Sequence, residues 1–238
     1  MSIAQGLAEV RERIERATAA AGRSSGSVRL LAVSKRHPPA AIREAYQLGQ
    51  RDFGENYVQE LTEKAEALAD LTDLRWHLIG HLQRNKARKL AALTSAVHSV
   101  DSSELAAELG KRVGQAMDER ARRFGAERAR LEILIEVSIA GEAQKSGVDP
   151  AELAQVLSAV EHEPALVLRG LMCVPPLTEL PEQALPYFER LAALRDEHGG
   201  SARLPELSMG MTADLEQAIA KGATWVRVGT AIFGPRTQ

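Results

Sequence analysis

One of the seven lysines in the sequence stands apart from the rest. Lys35 ends the apolar run Leu30-Leu31-Ala32-Val33-Ser34, whereas Lys64, Lys86, Lys89, Lys111, Lys145 and Lys221 have polar neighbours in helix-like or loop-like stretches. An amine partly withdrawn from water has a lowered pKa, and its lone pair is free for Schiff-base chemistry with an aldehyde. Position alone fits equally well a lysine that snorkels from a strand end to solvent. Ser34 does not complete a Ser-Lys dyad with it, because adjacent strand residues face opposite ways.

A second constellation lies near the other end of the chain. Ser208-Met209-Gly210-Met211-Thr212 leads from an apolar run toward a helix-like stretch, and Gly229-Thr230 follows the next apolar run. Glycines, hydroxyls and free backbone N–H groups of this kind suit an anion. Arg227, two residues before Gly229, shares its strand face and is flanked by Trp225, Val226 and Val228. A guanidinium cannot accept a hydrogen bond or lose its proton, so beside a heteroaromatic nitrogen it keeps that nitrogen unprotonated. His77 and His81 straddle a strand end without the adjacent glutamate of a zinc protease, so packing, or a loop role for His81, is the expectation. Cys173, inside Gly170-Leu171-Met172-Cys173-Val174, reads as a small core residue.

These residues need a scaffold. Apolar, β-rich runs occur at Leu30–Lys35, Asp52–Asn56, Arg75–Gly80, Ala96–Asp101, Leu131–Ala140, Val167–Val174, Glu206–Gly210 and Trp225–Thr230. Between them, helical periodicity marks Ala40–Leu48, Val58–Leu68, Asn85–Leu93, Glu104–Arg123, Ala151–Glu161, Glu182–Glu197 and Ala213–Lys221, with a further helix at about Ile3–Ala21. Asp149-Pro150 and Thr212 read as helix starts, and Gly49 and Gly222 as stops. Strands alternating with helices predict right-handed crossovers and a parallel sheet, and eight strands fit a closed (β/α)8 TIM barrel better than an open doubly wound sheet. The expected architecture is one domain over 1–238, with an N-terminal helix within 1–22 and the barrel at 30–234. Chemistry in such a barrel sits at the C-terminal strand ends, and phosphate sites often use the loops after strands seven and eight. Lys35, the Ser208–Thr212 and Gly229-Thr230 loops and Arg227 thereby describe a pyridoxal 5′-phosphate (PLP) site.

Composition agrees with a globular domain and excludes several classes. The chain has 238 residues, 45% hydrophobic and 26% charged, with a net charge of −2, so neither disorder nor a broad nucleic-acid surface is expected. A single cysteine forbids an intrachain disulfide, and no apolar stretch has the length of a signal peptide core or a membrane span. A cytoplasmic monomer is the expectation. The arginine-rich stretch Glu104–Arg130, with Arg120, Arg122, Arg123, Arg128 and Arg130, reads as a solvated helix face.

Five blocks carry a resemblance. Leu31-Ala32-Val33-Ser34-Lys35, Phe53-Gly54-Glu55-Asn56-Tyr57-Val58-Gln59-Glu60, Trp76-His77-Leu78-Ile79-Gly80-His81-Leu82-Gln83-Arg84-Asn85-Lys86, Leu207-Ser208-Met209-Gly210-Met211 and Val226-Arg227-Val228-Gly229-Thr230-Ala231-Ile232-Phe233-Gly234 closely resemble the pyridoxal phosphate homeostasis protein family. The likeness runs in matching order from about Leu30 to Arg236. It implies an alanine-racemase-like barrel that carries PLP as a Schiff base on Lys35. It also implies phosphate contacts at Ser208, Gly210, Gly229 and Thr230, Arg227 at the pyridine nitrogen, and Asn56 near the cofactor. The chain departs from the family at Arg36-His37-Pro38, where Thr-Lys-Pro is common, and Glu142-Ala143-Gln144-Lys145 is variable.

Barrel-type PLP racemases need two proton-transfer groups on opposite faces of the cofactor. In alanine racemases the second is a tyrosine from an additional β-domain, and this chain ends at Gln238, eight residues after Thr230, so no such domain is expected. Tyr46, Tyr57 and Tyr187 fall at helical or helix-start positions, Tyr57 reading as a packing residue after Asn56. The reading is a PLP carrier in vitamin B6 and amino-acid homeostasis without a robust catalytic cycle, with PLP-dependent apoenzymes as candidate recipients. A small PLP-dependent racemase, or a regulatory protein acting through a partner, is the alternative.

Overall fold

The computed structural model describes residues 2–141 and 146–235, so the variable stretch from Glu142 to Lys145 lies outside it. Eight parallel strands close on themselves in sequence order: β1 (Arg29–Val33), β2 (Asp52–Glu55), β3 (Arg75–Leu78), β4 (Thr94–Val100), β5 (Leu131–Glu136), β6 (Leu166–Met172), β7 (Glu206–Ser208) and β8 (Trp225–Val228). β8 returns to β1 with Leu31 opposite Arg227 and Ala32 opposite Val228. Each predicted strand is present but shorter at its C-terminal end, because Lys35, Asn56, Gly80, Asp101 and Thr230 have already left the ladder for the rim. β4 starts two residues earlier than its apolar pattern; Thr94 fits there because its buried hydroxyl donates to the Leu90 carbonyl at 2.9 Å.

Helices cover the outside, as strands buried on both faces require. They are α1 (Ile3–Ala20), α2 (Pro39–Gln47), α3 (Val58–Ala67), α4 (Ala87–Leu90), α5 (Ser103–Gln115), α6 (Met117–Phe124), α7 (Leu153–Glu161), α8 (Leu185–Glu197), α9 (Gly200–Arg203), α10 (Leu215–Ala220) and α11 (Thr230–Phe233). Ser2 caps α1 with a reciprocal Gln5 box, and α1 lies against α10 and α11 on the outside of the barrel. The expected stops hold: Gly49 and Gly222 take the left-handed conformation just past α2 and α10. Two starts move. Asp149 accepts the Ala151 N–H at 2.8 Å in a turn ahead of α7, and Asp214 rather than Thr212 precedes α10.

The arginine-rich stretch is not one solvated helix. It breaks at Ala116 (φ −103°, ψ 8°) and ends at Gly125 (φ 85°), and Arg120 is fully buried. Arg120 donates to the carbonyls of Ala91 (2.6 Å), Thr94 (2.8 Å) and Ala129, fastening α6 to the starts of β4 and β5. Burial pulls its guanidinium down to about 10. Among the described residues no helix is long and apolar enough to cross a membrane.

Candidate functional site

Lys35 sits two residues beyond the last residue of β1, half-buried at the C-terminal rim. A buried ionic knot fixes the backbone around it. The Lys64 ammonium of α3 donates to Glu55 Oε1, Glu60 Oε1 and the Ser34 carbonyl, each at 2.7 Å, and the Ser34 hydroxyl donates to Glu55 Oε1 at 2.6 Å. Glu60 also accepts the Arg36 N–H, and Arg36 takes the left-handed conformation (φ 63°). The loop after Lys35 therefore turns sharply, and His37 stacks 5.2 Å from the Phe233 ring of α11. Burial holds the Glu55 carboxyl above its ordinary value despite Lys64 and Ser34. Polar neighbours made Lys64 look like a surface residue in the sequence. Its spacing with Leu61, Ala65 and Leu68 in fact places it on the buried face of α3.

Across the β8–β1 seam lies the second constellation. Gly229 packs against the end of β1, where a Cβ would meet the Val33 carbonyl oxygen at 2.9 Å. The rim hydroxyls there are Thr212 and Thr230, 3.4 Å apart. Arg13 of α1 holds this loop in place by donating to the Thr212 carbonyl at 2.9 Å while pairing with Glu216 at 2.8 and 2.9 Å. Gly210 has φ 89° and lies so near α10 that a Cβ would approach Ala218 Cβ to 2.5 Å. The Ser208 hydroxyl turns into the barrel interior instead, within 3.0 Å of His98 Nδ1.

Arg227 fills the space above Ser208. Its guanidinium donates to the Ser208 carbonyl (2.6 Å), the Ser208 hydroxyl (2.9 Å) and the Cys173 carbonyl (2.8 Å). Burial draws the guanidinium below its usual value, opposed by Cys173, Glu136 and Asp214. Cys173 is a core residue as expected, and burial pushes its thiol up to about 12.

On the β2–β6 side the mouth opens into a cavity of about 350 Å³ bordered by Asn56, Gly80, His81, Glu136, Ser138 and Ser146, among others. Asn56 Oδ1 is buried there without a hydrogen-bond partner. Glu136 accepts from Ser146 at 3.1 Å, and burial raises its carboxyl pKa against that bond and the Arg227 charge. Glu136 is not among the sequence-predicted site residues; a carboxylate inside the apolar run Leu131–Ala140 was the available signal, and the structure makes it the last residue of β5. His81 is exposed and sits 3.1 Å from Asp101, whereas His77 is buried inside the barrel. Tyr57 does not pack as expected: it stands at the start of α3 with 53% of its surface exposed.

The chain compares closely with known proteins over its whole length. The family model for the alanine racemase N-terminal domain matches residues 6–237. The pyridoxal phosphate homeostasis protein of Pseudomonas aeruginosa is 44% identical, covering 99% of this chain and 96% of the relative. That of Aquifex aeolicus is 42% identical, covering 99% of each. The structure of PipY from Synechococcus elongatus with PLP bound is 40% identical, with a TM-score of 0.79 over 98% of this chain and 100% of that one. Alanine racemase from Corynebacterium glutamicum shares the fold alone, at 16% identity and a TM-score of 0.63 over 96% of this chain and 61% of that one. The chain belongs to the pyridoxal phosphate homeostasis protein family, built on an alanine racemase N-terminal domain fold.

Proposed function

We propose that this chain binds PLP at the C-terminal mouth, holding it through Lys35, and acts in PLP homeostasis as a carrier rather than as an enzyme. The observation that carries the reading is the seam between β1 and β8. There Leu31 pairs with Arg227, Gly229 packs against Val33 two residues before Lys35, and Thr230, which follows Gly229, has its hydroxyl 3.4 Å from that of Thr212. The residues fit the group in one further way: Asn56 presents a buried acceptor without a partner.

When bound, PLP supplies an aldehyde that condenses with an amine and a pyridine ring conjugated to it. Lys35 presents the amine, Thr212, Gly229 and Thr230 the donors for phosphate oxygens, and Arg227 a permanent donor for the ring nitrogen. Ser208 and Gly210 serve from within, one against Arg227 and the other in shaping the loop that carries Thr212. An arginine at the ring nitrogen weakens the ring as an electron sink, which supports the carrier reading. So does Tyr57, whose exposed place on α3 does not suit a buried proton-transfer group.

Two measurements test the reading. The purified protein should show a visible absorption band with PLP that disappears in Lys35→Ala; a wild-type protein without the band would sink the cofactor reading. Holo-protein incubated with L- and D-alanine in deuterated water should show negligible α-proton exchange. Efficient exchange with racemisation would replace the carrier with an enzyme.

A further inference from the structure

A line of polar side chains runs down the barrel interior from Arg227. Ser208 Oγ lies 3.0 Å from His98 Nδ1, His98 Nε2 lies 3.0 Å from His77 Nδ1, and His77 Nε2 lies 2.9 Å from Asp52 Oδ1. All five residues are buried, on β8, β7, β4, β3 and β2. The His77 and His98 rings meet edge to face, and Trp225 packs on both, with centroids 5.1 and 6.1 Å away. A chain of this kind in a dry interior is costly to bury, so each member must have a partner of the right polarity.

The hydrogen-bond roles along the line follow from its two ends. Burial disfavours the Asp52 carboxylate, but hydrogen bonds from Arg75 and His77 outweigh it and hold the group ionised, so it only accepts. His77 Nε2–H therefore donates to Asp52. Burial, with His77 and Arg227 nearby, holds His98 well below its usual range, so its ring is neutral with one donor and one acceptor nitrogen. Arg227 only donates, so Ser208 Oγ accepts from it and must place its own hydrogen elsewhere. One assignment satisfies all of them. Ser208 O–H donates to His98 Nδ1, His98 Nε2–H donates to His77 Nδ1, and His77 Nε2–H donates to Asp52. A charged His77 would reverse both imidazole links and leave the Ser208 hydrogen without an acceptor among the described residues.

We propose that His98, held by His77 and Asp52, is a positioning residue for Arg227 that acts through the Ser208 hydroxyl. Its bare Nδ1 draws the Ser208 hydrogen downward, which turns the oxygen lone pairs toward the guanidinium. With the Ser208 and Cys173 carbonyls, that oxygen engages three of the five guanidinium hydrogens and fixes the edge left for the ring nitrogen of the cofactor. The inference rests on the reading of Arg227 as the partner of that nitrogen.

The test has two parts. In the PLP-free protein, nitrogen NMR of His98 should show Nδ1 bare and Nε2 protonated; the reverse tautomer or a doubly protonated ring would overturn the proposal. With PLP, Ser208→Ala and His98→Leu should each weaken binding about tenfold, the size expected for a lost hydrogen bond to a charged group, and shift the visible band. His98→Asn, whose Oδ1 can accept from Ser208, should limit the loss to about threefold. If His98→Leu fails to fold, Ser208→Ala decides. Variants with a lowered Tm but unchanged affinity and band would refute positioning and leave PLP binding intact. A wild-type protein that shows no PLP band would remove both readings together.

Discussion

At the N-terminal end of the barrel, Arg29 pairs with Glu206 at 2.5 Å, Arg75 with Asp52 at 2.6 Å, Arg51 with Asp73 at 2.6 Å and Arg169 with Glu132 at 2.8 Å. Arg29 also stacks 3.9 Å over the Trp225 ring. At the C-terminal end, by contrast, Asn56 keeps an unmatched acceptor, Glu136 is a carboxyl raised by burial, and Thr212 and Thr230 turn hydroxyls to the rim. The first set neutralises itself within one surface and ties neighbouring strands together. The second keeps polar groups and an amine at one opening, and the knot around Lys64 ties together the strand ends that carry them. Self-neutralised ion pairs and unmatched polar groups thus lie at opposite ends of the same strands, as expected of a barrel type whose chemistry sits at its C-terminal face.

Substitutions should separate the two ends by size of effect. The largest is expected for Lys64→Met, which leaves Glu55 buried with its charge uncompensated and should cost about 3–5 kcal/mol in denaturant unfolding. The Lys35 loop should loosen with it, so PLP retention should fall as well. If stability is unchanged, the knot does not support the mouth. Gly210→Ala forces a side chain into left-handed backbone and against Ala218, a loss of about 1–3 kcal/mol by the same assay. Glu136→Gln should act through pH. Because the folded-state pKa of Glu136 is raised, its stabilising contribution is complete below the unfolded carboxylate range and is lost as pH rises through the folded value. The variant should therefore gain a little Tm at neutral pH and nothing at acid pH; a parallel profile at all pH values would contradict the burial argument. Arg169→Ala, at the opposite end, breaks a pair that is about one-third exposed on each side. It should cost less than about 1 kcal/mol and leave PLP affinity unchanged, so a large effect on either would break the contrast between the ends.

Alternation of apolar runs with amphipathic stretches made the eight strands and their order legible, because covered parallel strands and one-faced helices leave opposite periodicities in a sequence. Lys35, Asn56, Arg227, Gly229 and Thr230 were legible for the same reason: each lies at or just beyond a strand end, and all strand ends share one rim. The direction of a side chain in a short strand was not. Ser208 was expected at the phosphate and instead faces His98, because β7 is only three residues long and its rim loop begins at once. Tyr57 was expected as a packing residue after Asn56 and is instead about half exposed. The break at Ala116 and the burial of Arg120 escaped notice because a stretch rich in arginine reads as solvated until carbonyls from β4 and β5 converge on it.

The sequence by itself determined the barrel, the lysine just past its first strand and the hydroxyl-bearing loops after its last two, since local periodicity and the order of the elements suffice for these. Tertiary structure alone decided which charges meet. Lys64 finds Glu55 and the Ser34 carbonyl from other elements, and Arg227 reaches Asp52 only through residues of three other strands. Such partners lie far apart along the chain and share no periodic signal. Closure of the sheet brings them within bonding distance, and the dry interior then demands that each be satisfied.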